Sequence, residues 1–342
     1  MNADVKPEKK IRFGKKKEFD VEFEDRTPFW ERVKTKYLSL YFLKNVVWAL
    51  FRYVLLIGIS YVILYPFIAK VAGSFMSKED FLDVTVKLIP KYPTLDTYLA
   101  IITENRYFEA FWNTLVISLL CAVVQMVITM CVGYGFAKFK FKGNTILFFC
   151  VIFTMVVPHQ ALRLALFQKF RYFDFFGLID MITGDSLNLI NTYWPLALLS
   201  FGGLAFKNGL YIFIMRQFFR GVPDELEEAA YVDGSGVFKT FIRIIVPLSV
   251  PMLITIFIFA FSWQWTDDFY TTVFFTRTST YLMPNIVTVP ASLGATGFEA
   301  ASVYSSAIVN TAALMIILPL VIMYCFCQKY IVQGIERSGI VG

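Results

Sequence analysis

The sequence predicts an all-α membrane protein with six transmembrane helices. Three observations predict it. The chain of 342 residues is 57% hydrophobic, above the ~45–50% of soluble domains, and its mean hydropathy is +0.60. Only 17% of residues are charged, and most of these lie outside the apolar runs. Several runs reach the roughly 20 residues a helix needs to cross a ~30 Å hydrocarbon core. The net charge of +6 follows from basic residues flanking the spans, as the positive-inside bias expects. It carries no argument for nucleic acid.

Residues 1–44 read as a polar, mixed-charge cytoplasmic tail without the pattern of a cleavable signal peptide. In its last part, Lys34, Lys36 and Lys44 alternate with Tyr37, Leu38, Leu40 and Phe42. That pattern fits a helix lying at the membrane surface or a tail with an adhesive end. Residues 45–110 hold span one, Val46–Ala72, and an external loop; Pro66 kinks the span, which membrane helices tolerate. Residues 111–328 form the core. Span two covers Trp112–Phe136, and the turn KFKFKG, with Lys138, Lys140, Lys142 and no acid, belongs in the cytoplasm. Span three runs from Ile146 until Pro158 breaks it. Residues 162–193 are mixed in character and read as an external, partly helical excursion. Span four covers Trp194–Phe219, span five Ile244–Trp265 and span six Val303–Phe326. A loop containing Pro284, Pro290, Gly294 and Gly297 precedes span six. Residues 329–342 form a cytoplasmic tail, so both termini are inside.

Several chemistries are excluded. The five cysteines all fall within apolar runs, so no disulfide framework is implied. One histidine cannot supply a Cys/His metal cage. Gly234-Ser235-Gly236 followed by Lys239-Thr240 imitates a nucleotide loop. A Walker motif needs glycine directly before the lysine, and Phe238 stands there. No nucleophile–base pair or cofactor loop is visible, so the chain reads as a non-enzyme that binds no cofactor itself.

Between spans four and five lies a polar insert, Pro223 to Pro247. Pro223 suits the first position of a helix. Asp224, Glu225, Glu227 and Glu228 load the first turns with negative charge, which the macrodipole favours. Ala229 and Ala230 leave little side chain in the way. Asp233-Gly234 then breaks the helix, and Ser235 can cap a second one. In that second helix Val237, Phe238, Phe241 and Ile245 give an apolar stripe, with Lys239 and Arg243 on a polar edge. The insert reads as a short helix–turn–helix under the inner membrane face, shaped for close approach by another protein. Its acids need cationic partners if that contact buries them.

These residues resemble the "EAA" loop of permease subunits of bacterial ATP-binding-cassette (ABC) importers. That pattern is Glu-Ala-Ala, three residues, Gly, nine residues, then Ile-x-Leu-Pro. This sequence has Glu228-Ala229-Ala230, Gly234, and Ile244-Ile245-Val246-Pro247 at that spacing, with Val246 in place of leucine. Weaker matches follow in the family's order: Phe111-Trp112-Asn113-Thr114-Leu115, the turn Tyr134 to Gly143, and Trp265-Thr266-Asp267-Asp268-Phe269. The closing Gln328 to Gly334 resembles the maltose-type branch, which imports oligosaccharides. The resemblance implies the type I ABC importer permease fold with a cytoplasmic EAA coupling helix. It implies Glu228, Ala229, Ala230, Asp233 and Gly234 as the residues that couple to an ATPase. It also implies a heterodimer with a second permease subunit, two cytoplasmic ATP-binding subunits that use ATP and Mg²⁺, an extracellular sugar-binding protein and a bacterial plasma membrane.

Polar residues in or near the spans are candidates for a substrate pathway: Gln125, Lys207, Asn208, Trp263, Gln264 and Asn310, with His159 and Gln160 beside the break in span three. Each also admits a packing or snorkelling role. A secondary, ion-coupled sugar carrier is the main alternative, and a permease for a non-sugar solute is another. Proton-coupled carriers commonly place carboxylates inside spans. None of the six spans contains Asp or Glu, which favours the ATP-driven reading.

Overall fold

The computed structural model describes Trp30, residues 40–276, 280–294 and 301–337. The interfacial helix expected near residues 30–44 lies largely outside these. The chain divides into two compact units, one ending at Tyr65 and the other beginning at Pro66. The described residues are almost entirely helical, with a single isolated antiparallel bridge between Phe173 and Leu187.

Helix α1 (Leu40–Gly73) carries Pro66 within it. From Val46 to Tyr65 its large apolar side chains are exposed on every side, as in a helix meant for lipid. In the second unit, α2 (Asp96–Thr103) precedes α3 (Tyr107–Lys138), and α4 (Asn144–Val156) follows the lysine turn. The chain bends by 94° at Pro158 and continues through a 3₁₀ turn into α5 (Arg163–Arg171). Then come α6 (Leu178–Thr183), α7 (Trp194–Phe201), α8 (Asn208–Arg220), α9 (Glu225–Val232) and the single turn α10 (Val237–Thr240). A π-helical turn, Phe241–Ile245, joins α10 to α11 (Val246–Trp265). The last elements are α12 (Phe269–Phe274) and α13 (Ala301–Arg337).

Among the described residues, four helices are long and apolar enough to cross a membrane, or five if the bent pair α4–α5 is counted as one span. The region expected as one fourth span is instead two helices, α7 and α8, separated at residues 202–207. The physical cause is local. Gly202-Gly203 follows α7, Gly203 has φ +70°, and Lys207 stands in the left-handed region at φ +66°. The loop after span five contains a helix, α12, that the sequence pattern did not indicate. The expected C-terminal tail is helical as far as Arg337.

The helices pack around α3, which lies against α8, α11 and α7, while α11 also lies against α13. In a bilayer, lipid tails are as apolar as leucine, so helices associate by close packing rather than by escape from water. The sequence meets that need with small residues. Ala110, Thr114, Ser118 and Ala122 recur every four positions along α3 and are buried, with Thr129 and Gly133 further on. At Gly133 the fit is tightest, since an added Cβ would lie 2.5 Å from the Cβ of Met215 on α8. Against this stripe sit the fully buried Tyr211, Met215 and Phe219 of α8 and Met252 and Ile256 of α11. Trp265 closes the C-terminal end of α11, its indole N–H donating to the carbonyl of Ile316 on α13 at 3.0 Å.

The close approach at Gly133 predicts a sharp contrast. Gly133→Ala should destabilise the folded protein by about 1–3 kcal/mol through overpacking. It should be read as a lower unfolding temperature in detergent. Gly135→Ala, where an added Cβ meets nothing within 4 Å, should leave that temperature unchanged or raise it.

Candidate functional site

The insert between α8 and α11 is the most structured polar feature of the chain. Helix α9 begins two residues later than the sequence indicates, at Glu225 instead of Pro223. Asp224 is the N-cap, and Pro223 precedes it, with its carbonyl accepting from the N–H of Leu226 at 3.4 Å. The helix ends in a Schellman motif. Gly234, at φ +79°, donates its N–H to Tyr231 O at 3.0 Å, and Ser235 donates to Ala230 O at 2.9 Å. Glycine takes this left-handed conformation without the cost a Cβ would bring. Ser235 is therefore part of the stop of α9. The N-cap of α10 is Gly236, and no side chain caps it.

Two residues of α3, Lys138 and Tyr134, fix the insert to the rest of the unit. Lys138, the last residue of α3, has a nearly buried side chain. Its Nζ donates to the carbonyl of Val222 at 2.7 Å and to Asp224 Oδ1 at 2.5 Å. It also lies 3.6 Å from Glu227 Oε1, an ion pair beyond hydrogen-bond length. One turn earlier on α3, Tyr134 donates its hydroxyl to Glu227 Oε2 at 3.4 Å. The hydrogen bond from Lys138 holds the exposed Asp224 carboxyl below its usual range. Sequence reading assigned Lys138 only a topological charge. The available signal was the spacing of Tyr134 and Lys138, four apart on one helix face.

This clamp divides the motif residues. Glu227 and Ala230 face inward and are buried, while Glu228, Ala229, Val232, Asp233 and Gly234 are exposed. The exposed face mixes two carboxylates with bare apolar surface, since Val232 and Phe238 are 88% and 78% exposed. The apolar stripe expected for the second helix is half right. Phe241 and Ile245 are buried, whereas Val237 and Phe238 point outward. The π turn between them supplies the extra residue, a device common where helices meet functional demands.

The pathway candidates separate into groups. Lys207 and Asn208 line a cavity of about 410 Å³ between α4, α8 and the 3₁₀ turn, with His159 and Tyr270. Trp263 stands next to it, its ring 5.0 Å from Lys207 Nζ. Gln125 is elsewhere, buried against α7, where it donates to Ser200 Oγ at 3.4 Å. Asn310 accepts from Lys70 Nζ at 2.8 Å and lines a separate hollow. Gln264 is half-buried beside Trp265. Just beyond the end of α11, Asp267 is not a bare loop acid. Its carboxylate accepts from the backbone N–H groups of Tyr270 and Thr271, and burial raises it to about 6. Near the start of α3, Asn113 donates its side-chain N–H to the carbonyl of Tyr281 at 3.0 Å, and Thr114 Oγ1 accepts from the N–H of Met283 at 2.9 Å.

The family model described as "Binding-protein-dependent transport system inner membrane component" matches residues 129–337. The chain is 26% identical over 300 residues to the galactooligosaccharides transport system permease protein GanQ of Bacillus subtilis, covering 86% of this chain and 95% of that one. It is 29% identical over 292 residues to the maltodextrin transport system permease protein MalD of Streptococcus pneumoniae, covering 84% and 93%. Its fold is similar to a chain of a bacterial ABC transporter involved in the import of the acidic polysaccharide alginate. There the TM-score is 0.63 at 20% identity, over 89% of this chain and 99% of that one.

The clamp generates one prediction. Lys138→Met removes the cation facing the buried Glu227. Breaking a buried pair by deleting one partner typically costs about 3–5 kcal/mol. Amide hydrogen exchange over residues 223–236 should accelerate strongly, while Lys140→Met should leave it unchanged.

Proposed function

The chain belongs to the family of binding-protein-dependent transport system inner membrane components, and from that membership we propose that it is a permease subunit of an ATP-driven oligosaccharide importer. It is a multi-pass membrane protein, and its family is one of transport components rather than enzymes. In the proposed complex it pairs with a second permease subunit, and the two enclose the pathway. Two cytoplasmic ATPase subunits bind ATP and Mg²⁺ and dock on the insert. An extracellular sugar-binding protein delivers the solute. Counting α7–α8 as one interrupted span and α4–α5 as another gives six spans, with both termini in the cytoplasm.

The observation that carries this reading is the presentation of the insert. A short capped helix shows Glu228, Ala229 and Val232 outward while its other face is fixed to α3 through Lys138. An outward face of small, acidic and apolar groups suits a groove on another protein. The inward anchorage gives force applied there somewhere to go. Closure of the ATPases pulls α9, the clamp carries the displacement into α3, and α3 carries it to α7, α8 and α11, which pack on it. Alternating access follows as these helices rock. Relatives named as oligosaccharide permeases support sugar as the solute class.

The test is ATP-dependent uptake of a labelled oligosaccharide into proteoliposomes holding the whole complex. Glu228→Lys reverses the charge on the exposed face. Gly234→Pro forces φ near −65° where +79° is required. Both variants should reach the membrane in normal amount, yet lose uptake by about tenfold or more, equivalent to at least ~1.4 kcal/mol of coupling. Uptake at the unmodified rate by both variants, or uptake without nucleotide, would contradict the proposal.

A further inference from the structure

The break between α7 and α8 has properties that helix packing does not require. Lys207 sits there in the left-handed region, at the N-terminus of the 13-residue helix α8. Its ammonium group stands 4.9 Å from the Phe206 ring and 5.0 Å from the Trp263 ring. The ion pairs among the described residues all lie elsewhere. Aromatic faces attract a cation but do not neutralise it. The next residue, Asn208, is fully buried, and neither its amide nitrogen nor its amide oxygen has a partner. Buried amides without hydrogen bonds are rare, and each needs an explanation. Lys207 and Asn208 both line the 410 Å³ cavity. The positive end of the α8 macrodipole adds to the same field. Gly209 is held hard against α4, where a Cβ would meet Thr154 Oγ1 at 2.7 Å, so the helix start cannot drift from the cavity.

From this we infer that the cavity takes an anionic oxygen group, the carboxylate of an acidic sugar unit, held by the Lys207 ammonium and the Asn208 amide. The Phe206 and Trp263 rings, 5.1 Å apart, offer apolar surface to the sugar ring beside it. A neutral sugar would leave the Lys207 charge uncompensated. The inference rests on the importer reading, and it narrows the solute class to glycans that carry uronic acid.

Equilibrium binding to the assembled complex in phosphatidylcholine nanodiscs, without the binding protein, tests it. The probes are labelled trigalacturonate and neutral maltotriose. Trigalacturonate should bind saturably and maltotriose much more weakly. Lys207→Met should weaken trigalacturonate binding by about tenfold or more, and Lys207→Arg should restore most of it. Equal binding of both sugars, no binding of either, or full trigalacturonate binding by Lys207→Met would overturn the assignment. So would loss of trigalacturonate binding when phosphatidylglycerol replaces half the lipid, which would give the site to a lipid headgroup. ATP-driven uptake of a neutral oligosaccharide by the same complex, reconstituted with its binding protein in proteoliposomes, separates the two levels. If uptake persists while the carboxylate assignment fails, the importer reading stands without it.

Discussion

The grip of Lys138 on the insert is the constraint from which the rest of the molecule takes its meaning. A helix of eight residues is too short to be stable alone, because nucleation is costly and few hydrogen bonds repay it. Helix α9 persists because its two ends are fixed independently. Its start is tied through Val222 O and Asp224 to the end of α3. Its stop is a Schellman turn at Gly234. Glu227 lies between them, buried and shared by Lys138 and Tyr134. A polar cluster of this kind gains little over an apolar one in net stability. What it provides is a defined geometry, so that the outward face of α9 has one orientation relative to α3.

That geometry matters because α3 is the packing centre of the second unit. The small residues along it let α8 and α11 come close, and close packing is what membrane helices have in place of hydrophobic collapse. A displacement at the Lys138 end of α3 is therefore felt at Met215, Met252 and Trp265 alike. The break between α7 and α8 lies on the same frame. It is held on one side by Gly209 against α4 and opens on the other into the cavity of Lys207 and Asn208. The insert and the cavity of Lys207 are thus joined through a few close-packed helices.

Much of this was legible in the sequence, and for identifiable reasons. Long apolar runs declare α1, α3, α11 and α13 because length and hydropathy leave no alternative. The stop at Gly234 was readable because only glycine is comfortable there. What stayed hidden depends on partners distant in sequence. Lys138 and Asp224 are 86 residues apart, and nothing in either neighbourhood announces the other. The split of α7 from α8 was signalled only by Lys207-Asn208-Gly209, because its apolar flanks read as one continuous run. The start of α9 was misplaced because a proline fits both the first helical turn and the residue before the cap. Helix α12 was missed because six residues are too few to show a period. The pathway candidates were chosen by polarity alone. Polarity cannot separate Gln125, which serves a helix contact, from Asn208, whose amide has no hydrogen-bond partner.

The central claim is that the insert and α3 move as one body. Spin labels at Val232 on α9, at Phe141 just beyond α3, and at Met181 on α6 as a common reference would measure this in the assembled complex. Pulsed distance measurements with and without ATP give the displacement of each inner label from Met181. The account predicts that the two displacements agree to within about 2 Å, the size of ordinary helix shifts. Movement of the Val232 label while the Phe141 label stays in place would contradict it.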